Sequence, residues 1–429
     1  MIISEKTHAK ITNISILIIA SFLIFRKPAT LMIMFFIFYN LFNLKKLQIC
    51  KTSILSQIIV YLPLLIHIMF LWHNKDLVLG LKDVEKYICL LVLPIFIVGN
   101  FKYMKINIIL ENYSILFCCI LTFLFIKYII TAPDLFAEYQ SGIHQWEMGY
   151  SFAKTFNTHA PALNMHVAFA TSVAFYFLIE NLKLKVSYYK ITVNLVVLFL
   201  LFYYLLYINT RLALVNVLFS IVIIISFNLF VTKISKKTII TCFLLLTMFI
   251  LSIAFFVVKN PYMVEKYTVV TFDNFDKIGR LDEIDNVQAV ACNSLVTRIS
   301  IWISTCELIA AKPILGYGSS DSKETLFNYY KKTNQQFLFK NKFPVHNQFL
   351  DFTLKFGFLG FMCVFVFMVN ILYIGIVLRN ALVITFFCIF FFSNLTDDFL
   401  IRFDGIVFSG FWISCFVCLH KQFTQQIKI

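Results

Sequence analysis

Residues 238–258, TIITCFLLLTMFILSIAFFVV, run for 21 residues without a charged side chain. A helix rises 1.5 Å per residue, so about 20 apolar residues cross the hydrocarbon core of a bilayer. In lipid the backbone must satisfy its own hydrogen bonds, which a helix does within one segment. Similar runs occur near 11–25, 29–44, 54–72, 86–99, 107–130, 160–180, 190–208, 212–230, 347–375, 380–396 and 405–420. The expected class is therefore an all-α polytopic membrane protein with about twelve transmembrane helices. Composition agrees: 60% of residues are hydrophobic, 14% are charged and 51 are Phe. A soluble domain has about 25% charged residues. The net charge of +15 would suggest nucleic acid in a soluble protein. Here the basic residues sit between apolar runs, so they report topology and no nucleic-acid partner is expected.

Lys6 and Lys10 precede the first run, as in a signal peptide, but the run ends in Phe-Arg-Lys-Pro with no small-residue cleavage pattern. It reads as an uncleaved first span. With the N-terminus in the cytoplasm, sixteen Lys and Arg fall in inner segments and eight in short outer loops, which also carry nine acids. This bias puts both termini inside. Residues 1–258 then hold spans one to nine, 259–346 an outer loop, and 347–429 spans ten to twelve, in one integral-membrane domain. Within the loop, Ser294–Ala311 reads as an amphipathic helix and Pro313-Ile-Leu-Gly-Tyr-Gly318 as a break. Asp321 with Glu324 reads as a capping box opening a second short helix through Tyr330.

Few residues carry chemistry. His346-Asn347 lies at the mouth of the tenth span, followed by Gly357 and Gly360. An imidazole there can move a proton near neutral pH, or simply sit at the interface above glycines that aid packing. Arg211, after Asn209-Thr210 at an outer helix start, either snorkels or binds phosphate oxygens. Arg298, four residues before Trp302, either stacks on the indole or adds a second phosphate contact. Asp351 and Lys355 have the spacing of an internal ion pair. His159 and His166 could line a cavity but lack further metal ligands. The Cys415-x-x-Cys418 motif lies inside an apolar run and reads as packed or lipid-facing thiols, while Cys292 and Cys306 could form a disulfide. There is no phosphate-binding glycine loop, dinucleotide turn or nucleophile elbow. One acidic triplet, Glu283-Ile-Asp285, is weak support for a metal-dependent glycosyltransferase. A lipid-glycan transporter would spread charge through its spans, whereas here charge gathers at the outer face.

Together these features resemble the O-antigen ligase family, bacterial membrane enzymes that share a domain with O-antigen polymerases. The family's His-Asn, nine residues, Gly-x-x-Gly pattern is matched by His346-Asn347 and Gly357-Phe-Leu-Gly360. Arg211 in Thr-Arg-Leu-Ala-Leu and Arg298 in Thr-Arg-Ile-Ser-Ile-Trp match its two arginines. One departure is Phe361, where ligases often have Thr or Val. The resemblance implies a GT-C-like fold in the bacterial inner membrane with the large loop in the periplasm. It implies glycan transfer from undecaprenyl diphosphate to a lipid A-core sugar or, in a polymerase, to another lipid-linked repeat unit. A protein O-oligosaccharyltransferase or other glycan ligase is the remaining alternative that the resemblance allows. His346 would be the base, Asn347 its orienting partner, and Arg211 and Arg298 the diphosphate clamp. Gly357 and Gly360 would pack the site and His159 would be auxiliary. No metal or cofactor is implied, and inversion at the anomeric carbon is expected.

Overall fold

The computed structural model describes residues 4–48, 54–231, 235–267, 273–287 and 295–426. Helices dominate, and there is no strand among the described residues. The chain opens with α1 (Glu5–Phe22), capped by Ser4 Oγ on Thr7 N at 3.2 Å, and α2 (Arg26–Leu41). Short helices follow: α3 (Ile54–Val60), α4 (Leu62–Met69), α5 (Leu77–Tyr87) and α6 (Cys89–Gly99). Then come α7 (Ile106–Thr131), α8 (Pro133–Gln140), α9 (Met148–Lys154), α10 (Ala160–Lys183), α11 (Tyr188–Ile208), α12 (Arg211–Phe230), α13 (Lys236–Lys259) and α14 (Pro261–Tyr267). The loop contributes α15 (Leu295–Ala311), α16 (Ser322–Lys332) and α17 (Gln336–Asn341). The chain returns through α18 (Gln348–Phe356), α19 (Phe358–Val377), α20 (Ala381–Thr396) and α21 (Phe403–Gln426).

Seven of these are long and apolar enough to cross a bilayer: α7, α10, α11, α12, α13, α19 and α21. The expected count was twelve. Helix α20 is apolar but has 16 residues. The run at 54–72 is divided at Tyr61, and the one at 86–99 shortens to the 11 residues of α6.

Helix α10 is the hub. Ala160, Ala162, Ala168, Ala170, Ser172 and Ala174 keep its surface thin, so α7, α11, α12 and α20 approach closely. The apolar window of α10 is 94% buried, against 17% for α13, which leaves Phe243, Leu244, Leu251 and Phe255 exposed on the outside of the bundle. Trp412 of α21 fills the centre, edge-on to Tyr113 at 4.8 Å and to Phe169 at 5.0 Å. Cys415 and Cys418 are free, buried thiols in this core.

The loop folds around a second apolar cluster that includes Val296, Ile301, Leu326, Tyr330, Phe337 and Leu338. Leu354 of α18 joins it and so ties loop to bundle. Asp321 starts α16 but does not cap it with its side chain. Its carboxylate instead accepts from Lys75 N at 2.9 Å, docking the loop on the turn before α5. The capping-box expectation fails because Asp321 has a helical backbone, φ −95° and ψ −22°, and its two carboxylate oxygens are engaged elsewhere, Oδ2 by Lys75 N and Oδ1 by Ser320 Oγ at 3.1 Å. Cys306 is a free, exposed thiol on α15, and Cys292 and Ser294 lie outside the described residues.

The tenth span also differs from expectation. The run at 347–375 is two helices, broken at Gly357 with φ +62°. Gly357 and Gly360 therefore do not share one continuous helix face. Phe358 N donates to Pro313 O at 2.8 Å, while Tyr317 N and Gly318 N donate at 2.9 Å to the last carbonyls of α18, Leu354 O and Lys355 O. The Pro313–Gly318 turn thus satisfies helix-end carbonyls that would otherwise be orphaned. A Cβ at Gly357 would overlap Ile314 O, and one at Gly360 would overlap Phe352 O. The two glycines let α18 fold back on α19 beneath the loop turn. Asp351 and Lys355 pair at 2.6 Å and are buried on α18, as their spacing suggested.

Candidate active site

His346 sits immediately before α18 with a left-handed backbone, φ +52°. Asn347 is the helix cap: its Oδ1 accepts from Phe349 N at 3.0 Å and Leu350 N at 3.2 Å. Its Nδ2 donates to Leu395 O at 3.0 Å, near the end of α20. Asn347 therefore fixes the backbone that carries His346, with no hydrogen bond to the imidazole itself.

The imidazole is held by Asp397. His346 Nδ1 lies 3.2 Å from Asp397 Oδ1, on the residue that ends α20. Arg402, just before α21, stands 3.6 Å from Asp397 and 3.5 Å from Asp398. Its Nη1 reaches His159 Nδ1 at 3.3 Å. Four residues from three parts of the chain thus form one polar file: His346, Asp397, Arg402 and His159. Burial opposes the charge on Asp397, but its bonds to His346 and Asp398 and the nearby Arg402 outweigh it and hold the carboxyl below its usual range. Asp398 is pushed the opposite way, by its own burial and by the Asp397 charge. The adjacent acids are therefore pushed in opposite directions. Burial and Arg402 lower His159, which suits it to accept from the guanidinium as a neutral ring.

With Nδ1–H donated to Asp397, Nε2 of His346 is the basic nitrogen, and the carboxylate stabilises the imidazolium that forms on proton uptake. This is the base-and-orienter logic of acyl-transfer triads. His346, Asp397 and Asp398 also offer ligand atoms within 4.8 Å of one another, a spacing that could hold a metal ion. Arg402 already faces both carboxylates, so a divalent cation there would meet a fixed guanidinium.

A second cluster surrounds Arg211. Helix α11 ends at Asn209 in the left-handed region, φ +54°, and α12 begins two residues later at Arg211. Thr210 Oγ1 accepts from Asn164 Nδ2 at 2.7 Å, which pins the turn to α10. Arg211 Nε is buried with no hydrogen-bond partner among the described residues. Arg298 of α15 lies within electrostatic reach of Arg211. Neither arginine forms an ion pair among the described residues, and the undescribed stretches contain no Asp or Glu. Arg298 makes no cation–π contact with Trp302, so the indole does not explain its charge. Lys266, Tyr262 and Tyr267 of α14 complete the surroundings of Arg211. Tyr150 packs edge-on to His159 at 5.9 Å and lies within electrostatic reach of Tyr262, so it stands between the clusters.

Residues 196–365 match the family model described as O-antigen ligase. Over this segment, which is less than half of the chain, the protein is similar to the O-antigen ligase family. No curated protein matches the chain. The O-antigen ligase segment contains Arg211, Lys266, Arg298, His346, Asn347, Gly357 and Gly360, whereas His159, Asp397 and Arg402 lie outside it. His166 does not join the site: it is buried against Phe408 at 4.4 Å with both ring nitrogens unpartnered. Glu283 instead pairs with Lys277 at 3.0 Å and Arg280 at 3.4 Å. Sequence reading missed Asp397, Arg402 and Lys266 as site residues. The available signal was Asp397-Asp398 followed by Arg402 between two apolar runs, where uncompensated charge is costly.

Proposed function

We propose that this protein is an O-antigen ligase, moving a glycan from undecaprenyl diphosphate to a lipid A-core sugar at the periplasmic face of the bacterial inner membrane. The observation that carries this reading is the pairing of an Asp397-held His346 with two arginines that have no acidic partner among the described residues. The first group suits proton removal from an acceptor hydroxyl. The second suits a diphosphate, because guanidinium is permanently charged and matches phosphate oxygens bidentately.

In this mechanism the acceptor oxygen attacks the anomeric carbon opposite the diphosphate. His346 Nε2 takes the hydroxyl proton, and Asp397 supports the resulting charge. The bond from the anomeric carbon to the diphosphate oxygen breaks with its electron pair leaving on the oxygen. Arg211 and Arg298 stabilise that charge in a half-buried setting where fixed cations act strongly. A single displacement inverts the anomeric centre, and the guanidiniums supply the positive charge that a metal provides elsewhere. Membrane lipids present both substrates at the level of the site.

Purified protein, given a defined undecaprenyl-diphosphate glycan, should transfer it to lipid A core. Offering a second lipid-linked repeat unit in parallel separates the outcomes. Elongation of that unit without labelling of lipid A core would overturn the ligase assignment in favour of a polymerase.

A further inference from the structure

We propose that Lys266 supplies a third positive charge to the donor site and acts on the diphosphate as it leaves. This deepens the reading above and rests on it. Lys266 lies on α14, just beyond the C-terminal end of α13. Its Nζ donates to Asn209 O at 2.8 Å, and Tyr267 Oη donates to Asn209 Oδ1 at 3.1 Å. Asn209 is the left-handed residue two positions before Arg211, so α14 is tied to the turn that presents Arg211. The ammonium also lies 5.9 Å from the Tyr262 ring centre and 6.0 Å from that of Tyr267. The charge of Arg211 acts on Lys266, and that of Arg298 acts on Arg211. Lys266 of α14 is thus bonded to the turn that presents Arg211 of α12, and Arg298 of α15 lies within electrostatic reach of Arg211. Burial and Arg211 draw the Lys266 ammonium down to about 7, so an arriving anion would favour its protonated form.

The charge count of the reaction explains why a third cation is useful. A diphosphate esterified to both a prenyl chain and a sugar carries two ionised oxygens. When the bond to the anomeric carbon breaks, its electron pair stays on the departing oxygen and creates a third ionisable site. The acceptor oxygen forms the new bond to carbon, and its proton goes to His346. Arg211 and Arg298 match the two charges of the bound donor. Lys266 matches the charge that appears only during transfer. A contact stronger in the transition state than in the ground state raises turnover rather than donor affinity.

The test uses the full chain in detergent or proteoliposomes. Lys266→Gln keeps a hydrogen-bond donor for Asn209 O while removing the charge, and Lys266→Arg keeps the charge. Arg211→Met is the control. For Lys266→Gln the expected result is a fall in kcat of about 10–100-fold with donor KM changed less than about threefold. Inhibition by farnesyl diphosphate, which carries the third ionisable oxygen, should weaken by about 10-fold or more, and Lys266→Arg should restore most of both. The proposal is overturned if kcat is unchanged. It is equally overturned if kcat falls, donor KM and farnesyl diphosphate inhibition worsen in the same ratio, and arginine gives no rescue, since that is the pattern of a misplaced Arg211 turn. If Arg211→Met itself leaves kcat and donor KM unchanged, the diphosphate-site reading fails first, and that failure is distinguishable from one confined to Lys266.

Discussion

His346 adopts a left-handed backbone that a non-glycine residue occupies at some cost. The cost is tolerated because Asn347 caps the next helix and Asp397 holds the ring. His346→Ala is expected to lower glycan transfer by about 10²–10⁴-fold while donor binding persists, measured as turnover alongside equilibrium binding of the donor. Asp397→Asn should also slow transfer, by about 10²-fold, because an amide cannot stabilise an imidazolium as a carboxylate does. Full activity in that variant would remove Asp397 from the site. Lys266 gives a pH test. Among the described residues, the groups around it include Arg211 from α12, Tyr262 and Tyr267 from its own helix, and the Asn209 carbonyl from α11. Its lowered ammonium loses its proton as pH rises through about 7. Farnesyl diphosphate inhibition of the wild-type protein should therefore weaken relative to Lys266→Arg between pH 6 and pH 8.5. The ratio of the two inhibition constants cancels ionisation of the inhibitor, and a ratio flat with pH would argue against titration of Lys266.

At the scale of elements, the α18–α19 hairpin matters most to the site. Its two motifs, Pro313–Gly318 and Gly357–Gly360, are far apart in sequence yet form one unit through the bonds of Tyr317, Gly318 and Phe358. Gly360→Ala would force the two helices apart, because its Cβ would meet a backbone carbonyl and not a movable side chain. The expected loss is about 1–3 kcal/mol of stability, as for other overpacked positions, read from thermal unfolding in detergent. Transfer should fall with it, since α18 carries His346 at its start. Asn347→Ala removes the cap and the bond to Leu395 O, which should cost about 1 kcal/mol. A thermal shift of zero would show that the cap is replaceable by solvent.

The whole molecule places its polar network where several helix ends meet. His159 precedes α10, Arg211 opens α12, Lys266 follows α13, His346 precedes α18, and Asp397 and Arg402 lie between α20 and α21. These ends share one side of the bundle only if the spans alternate in direction as the Lys/Arg bias suggests. Cys306, free and exposed on α15, reports this without mutation of the loop. A membrane-impermeant thiol reagent added to right-side-out cells should label it. Labelling only after the membrane is opened would reverse the proposed orientation and move the site to the cytoplasmic face.

The sequence alone determined the class of the protein and named several candidate site residues. Long uncharged runs require lipid, and lipid requires helices, because both conclusions depend only on local composition and backbone hydrogen bonding. Short motifs named His346, Asn347, Arg211, Arg298, Gly357 and Gly360, and the family match covers those residues. Only the tertiary structure decided which charges meet. Asp397 lies 51 residues from His346, and Arg402 lies 243 residues from His159. No periodicity links such pairs, since helix packing and not spacing brings them together. The same holds for the break at Gly357. A glycine in an apolar run costs a helix only about 1 kcal/mol, so the run alone reads as continuous. The backbone of the loop turn, packed against α18 and α19, is what makes it two helices and sets His346 at the start of the first.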